Sequence, residues 1–69
     1  MPITMSRGGD RVTIREITGD EKVRQHLAEL GFVVGQEITV VAEIAGNLIL
    51  RVKESRVALD RDMAHRILI

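Results

Sequence analysis

Apolar and polar positions alternate at the start of Arg11-Val12-Thr13-Ile14-Arg15-Glu16-Ile17, with Val12 and Ile14 on one side and Arg11, Thr13 and Arg15 on the other. A period of two is that of a half-buried strand. Gly8-Gly9-Asp10 supplies a turn ahead of it, and Ile17 breaks the parity, which predicts a bulge or the end of the strand there. The period then lengthens. Over 21–30, Val23, Leu27 and Leu30 recur at i, i+4 and i+7, the stripe of an amphipathic helix. Thr18 and Glu21 have the spacing of a capping box, and Asp20 competes for the N-cap. Gly31 stands where a left-handed residue ends a helix. The stripe is narrow, so this helix is expected to lie on the surface of another element.

Period two returns at Ile38-Thr39-Val40-Val41-Ala42-Glu43-Ile44, with Ile38, Val40, Ala42 and Ile44 on one face. In the next segment Leu48, Leu50 and Val52 share a face opposite Arg51 and Lys53. A two-residue turn at Gly46-Asn47 would pair Ala42 with Arg51 and Val40 with Lys53, sending a basic row into the core. A three-residue loop, Ala45-Gly46-Asn47, instead pairs Ile44 with Leu48, Ala42 with Leu50 and Val40 with Val52. One residue of slip inverts every side chain, so burial selects the longer loop. After a break at Ser55-Arg56 come a short strand, Val57-Ala58-Leu59, a helical turn at 60–64 that Asp60 can cap, and a last strand, Ile67-Leu68-Ile69.

These elements predict a mainly β fold, a small five-stranded, partly open barrel with one α-helix after the first strand and a short helical turn before the last. An oligonucleotide-binding barrel and an SH3-like barrel both have this count. The early helix favours the SH3-like form. No repeat, low-complexity tract or linker interrupts the chain, and its one proline is Pro2, so residues 1–69 read as a single domain.

Composition agrees with the strand content, since Val, Ile and Thr make up 20 of the 69 residues. There is no cysteine, so the core must hold by packing alone. Ten basic and ten acidic residues cancel, which argues against a dedicated nucleic-acid or membrane-surface binder but leaves room for a local patch. No apolar run exceeds three residues, far short of the ~20 of a spanning helix. The first residues lack the layout of a signal peptide, and a cytoplasmic location is expected.

Candidate chemistry is sparse. No Gly-x-x-x-x-Gly-Lys-[Ser/Thr] loop exists to cradle a phosphate, and no nucleophile–histidine pairing to propose, so neither a catalytic residue nor a cofactor is expected. His26 with Glu29, and Asp62 with His65, stand three residues apart, but a well-held metal needs three or four ligands. Surface histidines are the better reading, and no metal ligand is assigned. A carrier role would show as ferrous binding lost when His26 and His65 become alanine. Single-strand nucleic acid and proline-rich ligands both need aromatic platforms, and Phe32 is the one aromatic residue here.

Phe32-Val33-Val34 carries the most information, because three apolar residues occupy a helix-to-strand connection where polar residues are the norm. One or two of them are expected to anchor the helix to the barrel. Any left exposed would form a partner-binding patch with Leu30 and Met63 beside it.

The stretch from Leu27 to Val40, with Leu27-Ala28-Glu29-Leu30-Gly31 ending the helix and Gly35 before a strand, resembles the FeoA family of small cytosolic partners of the ferrous iron transporter FeoB. Val57-Ala58-Leu59-Asp60 through Ala64 to Ile67-Leu68-Ile69 is similar to the family's ending, and Gly8-Gly9 to its opening. Val34 stands where the family commonly carries proline, which leaves the turn less pre-set. The resemblance implies an SH3-like barrel without enzymatic activity that docks to the cytosolic region of a FeoB-type transporter and regulates uptake. It implies that iron passes through the transporter rather than residing in this domain. Weak self-association is compatible with this picture. The alternative it leaves open is a regulatory relative of the domain that ends iron-dependent repressors, contacting a transcription factor or DNA.

Overall fold

Consecutive amides near the start of the chain are claimed by different strands, and this divides the expected first strand in two. Arg11–Thr13 forms β1 and Glu16–Ile17 forms β2 in the computed structural model, which describes residues 1–69. The Ile14 N–H donates to the Gln36 carbonyl at 3.0 Å, whereas the Arg15 N–H donates to the Leu68 carbonyl at 2.8 Å. A break therefore lies at Ile14-Arg15, ahead of the expected end at Ile17, where β2 does stop, and six strands replace the expected five. β1 joins β3 (Glu37–Ile44), β4 (Asn47–Val52) and β5 (Ser55–Asp60) in an antiparallel sheet of order β1-β3-β4-β5. β2 pairs with β6 (Ile67–Leu68) in a second, smaller one. The two sheets are not closed into one continuous hydrogen-bonded barrel; the domain is mainly β, with one full α-helix.

That helix, α1, spans Glu21–Glu29. Asp20 caps it, its Oδ1 accepting the Val23 N–H at 2.9 Å. Thr18 takes no part in the cap; its hydroxyl donates to the Arg66 carbonyl at 3.3 Å. At the other end Gly31, at φ +103°, donates to the Ala28 carbonyl and Phe32 to the Leu27 carbonyl, both at 2.9 Å. This is the Schellman arrangement, and its customary apolar contact is supplied by Leu27 and Phe32, both fully buried. Replacing Asp20 by alanine should cost about 1 kcal/mol, read as a lower urea midpoint with an unchanged slope.

The β3–β4 connection differs from the expected three-residue loop. It is a two-residue turn, Ala45-Gly46, with φ of +52° and +84°, the hand that matches the twist of a hairpin. Ile44 pairs with Asn47, Glu43 with Leu48 and Ala42 with Ile49; a bulge at Val41 then shifts the ladder so that Val40 pairs with Leu50 and Ile38 with Val52. Burial still decides the register of the inner half, but an extra residue in the strand does what loop length was expected to do. Ala42 and Ile44 leave the core face as a result, and Ile44 is 61% exposed. The bulge also explains Gly8, where a Cβ would stand 2.9 Å from the Val41 carbonyl oxygen.

The β4–β5 turn is Lys53-Glu54, two residues before the expected break, so Ser55 and Arg56 belong to β5. Asp60 caps the single turn α2 (Arg61–Ala64), accepting the Met63 N–H at 2.8 Å. The first residues, to which the periodicity assigned no element, form a 3-10 turn over Ile3–Met5. Pro2 bridges to Leu68, and the Ile69 N–H donates to the Met1 carbonyl at 2.8 Å. Ile3 is fully buried among Ile14, Leu27, Phe32, Ile38, Leu50, Ile67 and the rest of a core without a buried polar residue.

Candidate functional site

The connection after α1 ends in a turn whose geometry follows from one glycine. The Gln36 N–H donates to the Val33 carbonyl at 3.0 Å, and Gly35, at φ +91°, occupies the third position as a type II turn requires. The Gly35 N–H donates to the Ile14 carbonyl at 2.8 Å, fixing the turn to the segment between β1 and β2. Val34 sits second, the position proline favours, and the hydrogen bonds hold the turn without it. The consequence is exposure. Val33 is 44% and Val34 65% exposed, although both are β-branched and apolar.

Behind this turn a groove of about 630 Å³ opens between β2 and α1. Ile17, Ala28, Phe32 and Val34 give it an apolar lining, and Glu16, Glu21, Arg24 and Gln25 a charged and polar one. The sequence-predicted residues separate here. Phe32 is fully enclosed and anchors the connection from within the core. Leu30 is half-buried against the core just before the turn. Met63 also packs on the core, but from α2, which lies against β5, β4 and the 3-10 turn, and it does not line the groove. Ile17 and Ala28 were missed. The signal for Ala28 is a small apolar residue on the polar face of the helix, spaced from Glu21, Arg24 and Gln25 so that all four share one side.

The histidine pairs stay on the surface. His26, Glu29, Asp62 and His65 are all exposed, and the His65 Nδ1 lies 3.4 Å from the Thr4 Oγ1. Neither pair gains a third ligand, since no group of three or more His, Asp or Glu side chains gathers where it would hold a metal. The two ion pairs, Arg11–Glu37 and Arg61–Glu43, are both 2.9 Å long and well exposed. Pairs of this kind contribute about 0–1 kcal/mol each. No helix is long and apolar enough to cross a membrane.

Comparison with known proteins adds what geometry alone does not supply. The model of the FeoA domain matches residues 1–69. The chain belongs to the FeoA domain family. It is 25% identical over 68 residues to an Fe(2+) transport protein A of Methanocaldococcus jannaschii, covering 99% of this chain and 83% of that protein. Among solved structures, it superposes on the crystal structure of an iron uptake regulatory protein, FeoA, with a TM-score of 0.88 at 29% identity, covering 96% of this chain and 88% of that one. The zinc complex of Stenotrophomonas maltophilia FeoA, described as a prokaryotic SH3 domain protein, gives a TM-score of 0.84 at 24% identity, over 99% and 87% of the two chains. The SH3-like fold is thereby shown. Membership of the FeoA family makes this a non-enzymatic accessory protein of ferrous iron transport, associated with the Feo system.

Proposed function

We propose that this FeoA domain is a cytoplasmic adaptor that binds the cytosolic region of a FeoB-type ferrous iron transporter and thereby regulates uptake. The observation that carries the reading is the Val33-Val34 turn: two exposed apolar side chains on a backbone fixed by hydrogen bonds at both ends, bordering a groove with apolar lining. An apolar turn already ordered in the free domain loses little entropy on docking, and this favours affinity. Leu30 supports the turn from the helix end, and Phe32 holds it from beneath. Met63 lies outside the groove and is assigned no contact.

The test is a titration of the folded domain against the cytosolic region of its transporter. The expected result is saturable binding that Val34→Asp weakens at least tenfold, or about 1.4 kcal/mol, while thermal unfolding is unchanged. Folded wild-type domain that does not bind refutes the adaptor reading. Wild-type affinity in the Val34→Asp variant would instead move the contact elsewhere on the domain.

A further inference from the structure

The outer face of the larger sheet carries a charge arrangement that the fold does not need. Cross-strand register places Arg11 opposite Thr39, Thr39 opposite Arg51, and Arg51 opposite Arg56, so one row crosses all four strands with three arginines. Lys53 follows Arg51 two residues on, at the end of the same face. At the spacing of neighbouring strands this row is about 14 Å long. Arg51 and Arg56 are directly opposed like charges, an arrangement that destabilises a sheet. Arg11 is paired with Glu37, but no salt bridge engages Arg51, Lys53 or Arg56. At the far end of the face the Asp60 carboxylate is occupied by the amide of Met63. Between the two ends lies an uncharged row, Ala42 opposite Ile49 opposite Ala58. The whole chain is formally neutral, so this is a segregation of charge and not an excess.

The shape of the face narrows the ligand. Its concavity, about 420 Å³, is lined by Arg11, Gln36, Glu37, Thr39, Arg51 and Lys53, without an apolar side chain. A protein interface of useful affinity centres on buried aromatic or aliphatic anchors, which this lining lacks. Single-stranded nucleic acid would call for exposed aromatic platforms, and Phe32 is buried in the core. What remains is an open array of guanidinium and ammonium groups, whose complement is a layer of phosphates. We propose that this sheet face docks on anionic lipid headgroups, holding the domain against a negatively charged membrane surface. The proposal is independent of the transporter contact, which uses different residues on β2, α1 and the turn at Val34.

Co-sedimentation with vesicles tests it. The domain should pellet with vesicles of equal parts phosphatidylcholine and phosphatidylglycerol and not with phosphatidylcholine alone. Each basic residue near such a surface contributes roughly a fivefold gain in partitioning, so Arg51→Glu with Arg56→Glu should reduce binding by more than about tenfold. Binding should also fade in ~1 M salt, where screening acts within about 3 Å. The matched control is Lys22→Glu with Arg66→Glu, which changes net charge equally on exposed positions away from this face and should bind as wild type. Arg51→Gln with Arg56→Gln repeats the loss without introducing carboxylates, and circular dichroism checks that each variant is folded. Equal pelleting with neutral vesicles overturns the proposal, as does an equal loss in the control. Capture of poly-glutamate at the same salt by a domain that ignores anionic vesicles overturns it too, assigning the face to an acidic protein instead.

Discussion

Phe32→Ala should leave the domain only marginally stable at room temperature. Truncating a buried phenylalanine costs about 3–5 kcal/mol, from the lost burial and the cavity left behind. A chain of 69 residues has a total stability on the order of 3–10 kcal/mol, so the loss takes a third of it or more. The site is less able than most to collapse around the gap. Phe32 is fully buried, its amide closes the end of α1 on the Leu27 carbonyl, and Leu27 is its packing partner in the same motif. One truncation therefore loosens the helix end, the core and the turn that presents Val33 and Val34. Loss of the cooperative urea transition, or a midpoint moved to low denaturant, is the expected reading. A variant with wild-type stability would show that the aromatic ring is not the anchor.

The second large effect is expected at Ile3→Ala, with a cost of about 2–5 kcal/mol. Ile3 is as deeply buried as Phe32, yet it belongs to a three-residue turn with little structure of its own. Its position depends on Pro2 bridging Leu68 and on the paired backbones of Met1 and Ile69. Truncation should therefore lower the thermal midpoint and also raise amide exchange along β6 beyond the drop in the rest of the sheet. Uniform exchange across both sheets would mean that the first residues do not secure β6.

What the sequence disclosed and what it concealed divide along a physical line. Local periodicity was enough for α1, β3, β4 and the cap at Asp60, because a stripe of apolar residues or a short polar side chain before a helix carries its own explanation. Long-range partners were not legible. Nothing local distinguishes Ile3 from any apolar residue near a terminus; what buries it is α2 and a core drawn from the whole chain, with Pro2 bridged to Leu68 more than sixty residues away. Likewise Arg15 looks like the outward residue of a continuing strand, and only the competing carbonyls of Gln36 and Leu68 show why the strand divides before it. The hairpin shows a different limit. The burial argument chose the right inner face for Val40 and Ile38 but weighed only loop lengths, whereas the chain inserts its extra residue at Val41, inside the strand. In the candidate site the apolar connection stood out at once, and exposure sorted its members: Val33 and Val34 outside, Phe32 inside. Ile17 and Ala28 became visible only when α1 was laid beside β2.

The pairing of Met1 with Ile69 and the burial of both Ile3 and Ile67 bear on how the domain comes into being. Its interior is assembled from segments separated by nearly the full contour of the chain, and loops of that length close slowly compared with a hairpin or a helix. During synthesis the β3–β4–β5 meander can form early, but the segments that shelter Ile3, α2 and β6, leave the ribosome after it. Until then an isoleucine that belongs in the interior faces water, so the nascent chain relies on α2 and β6 to complete the fold of this domain.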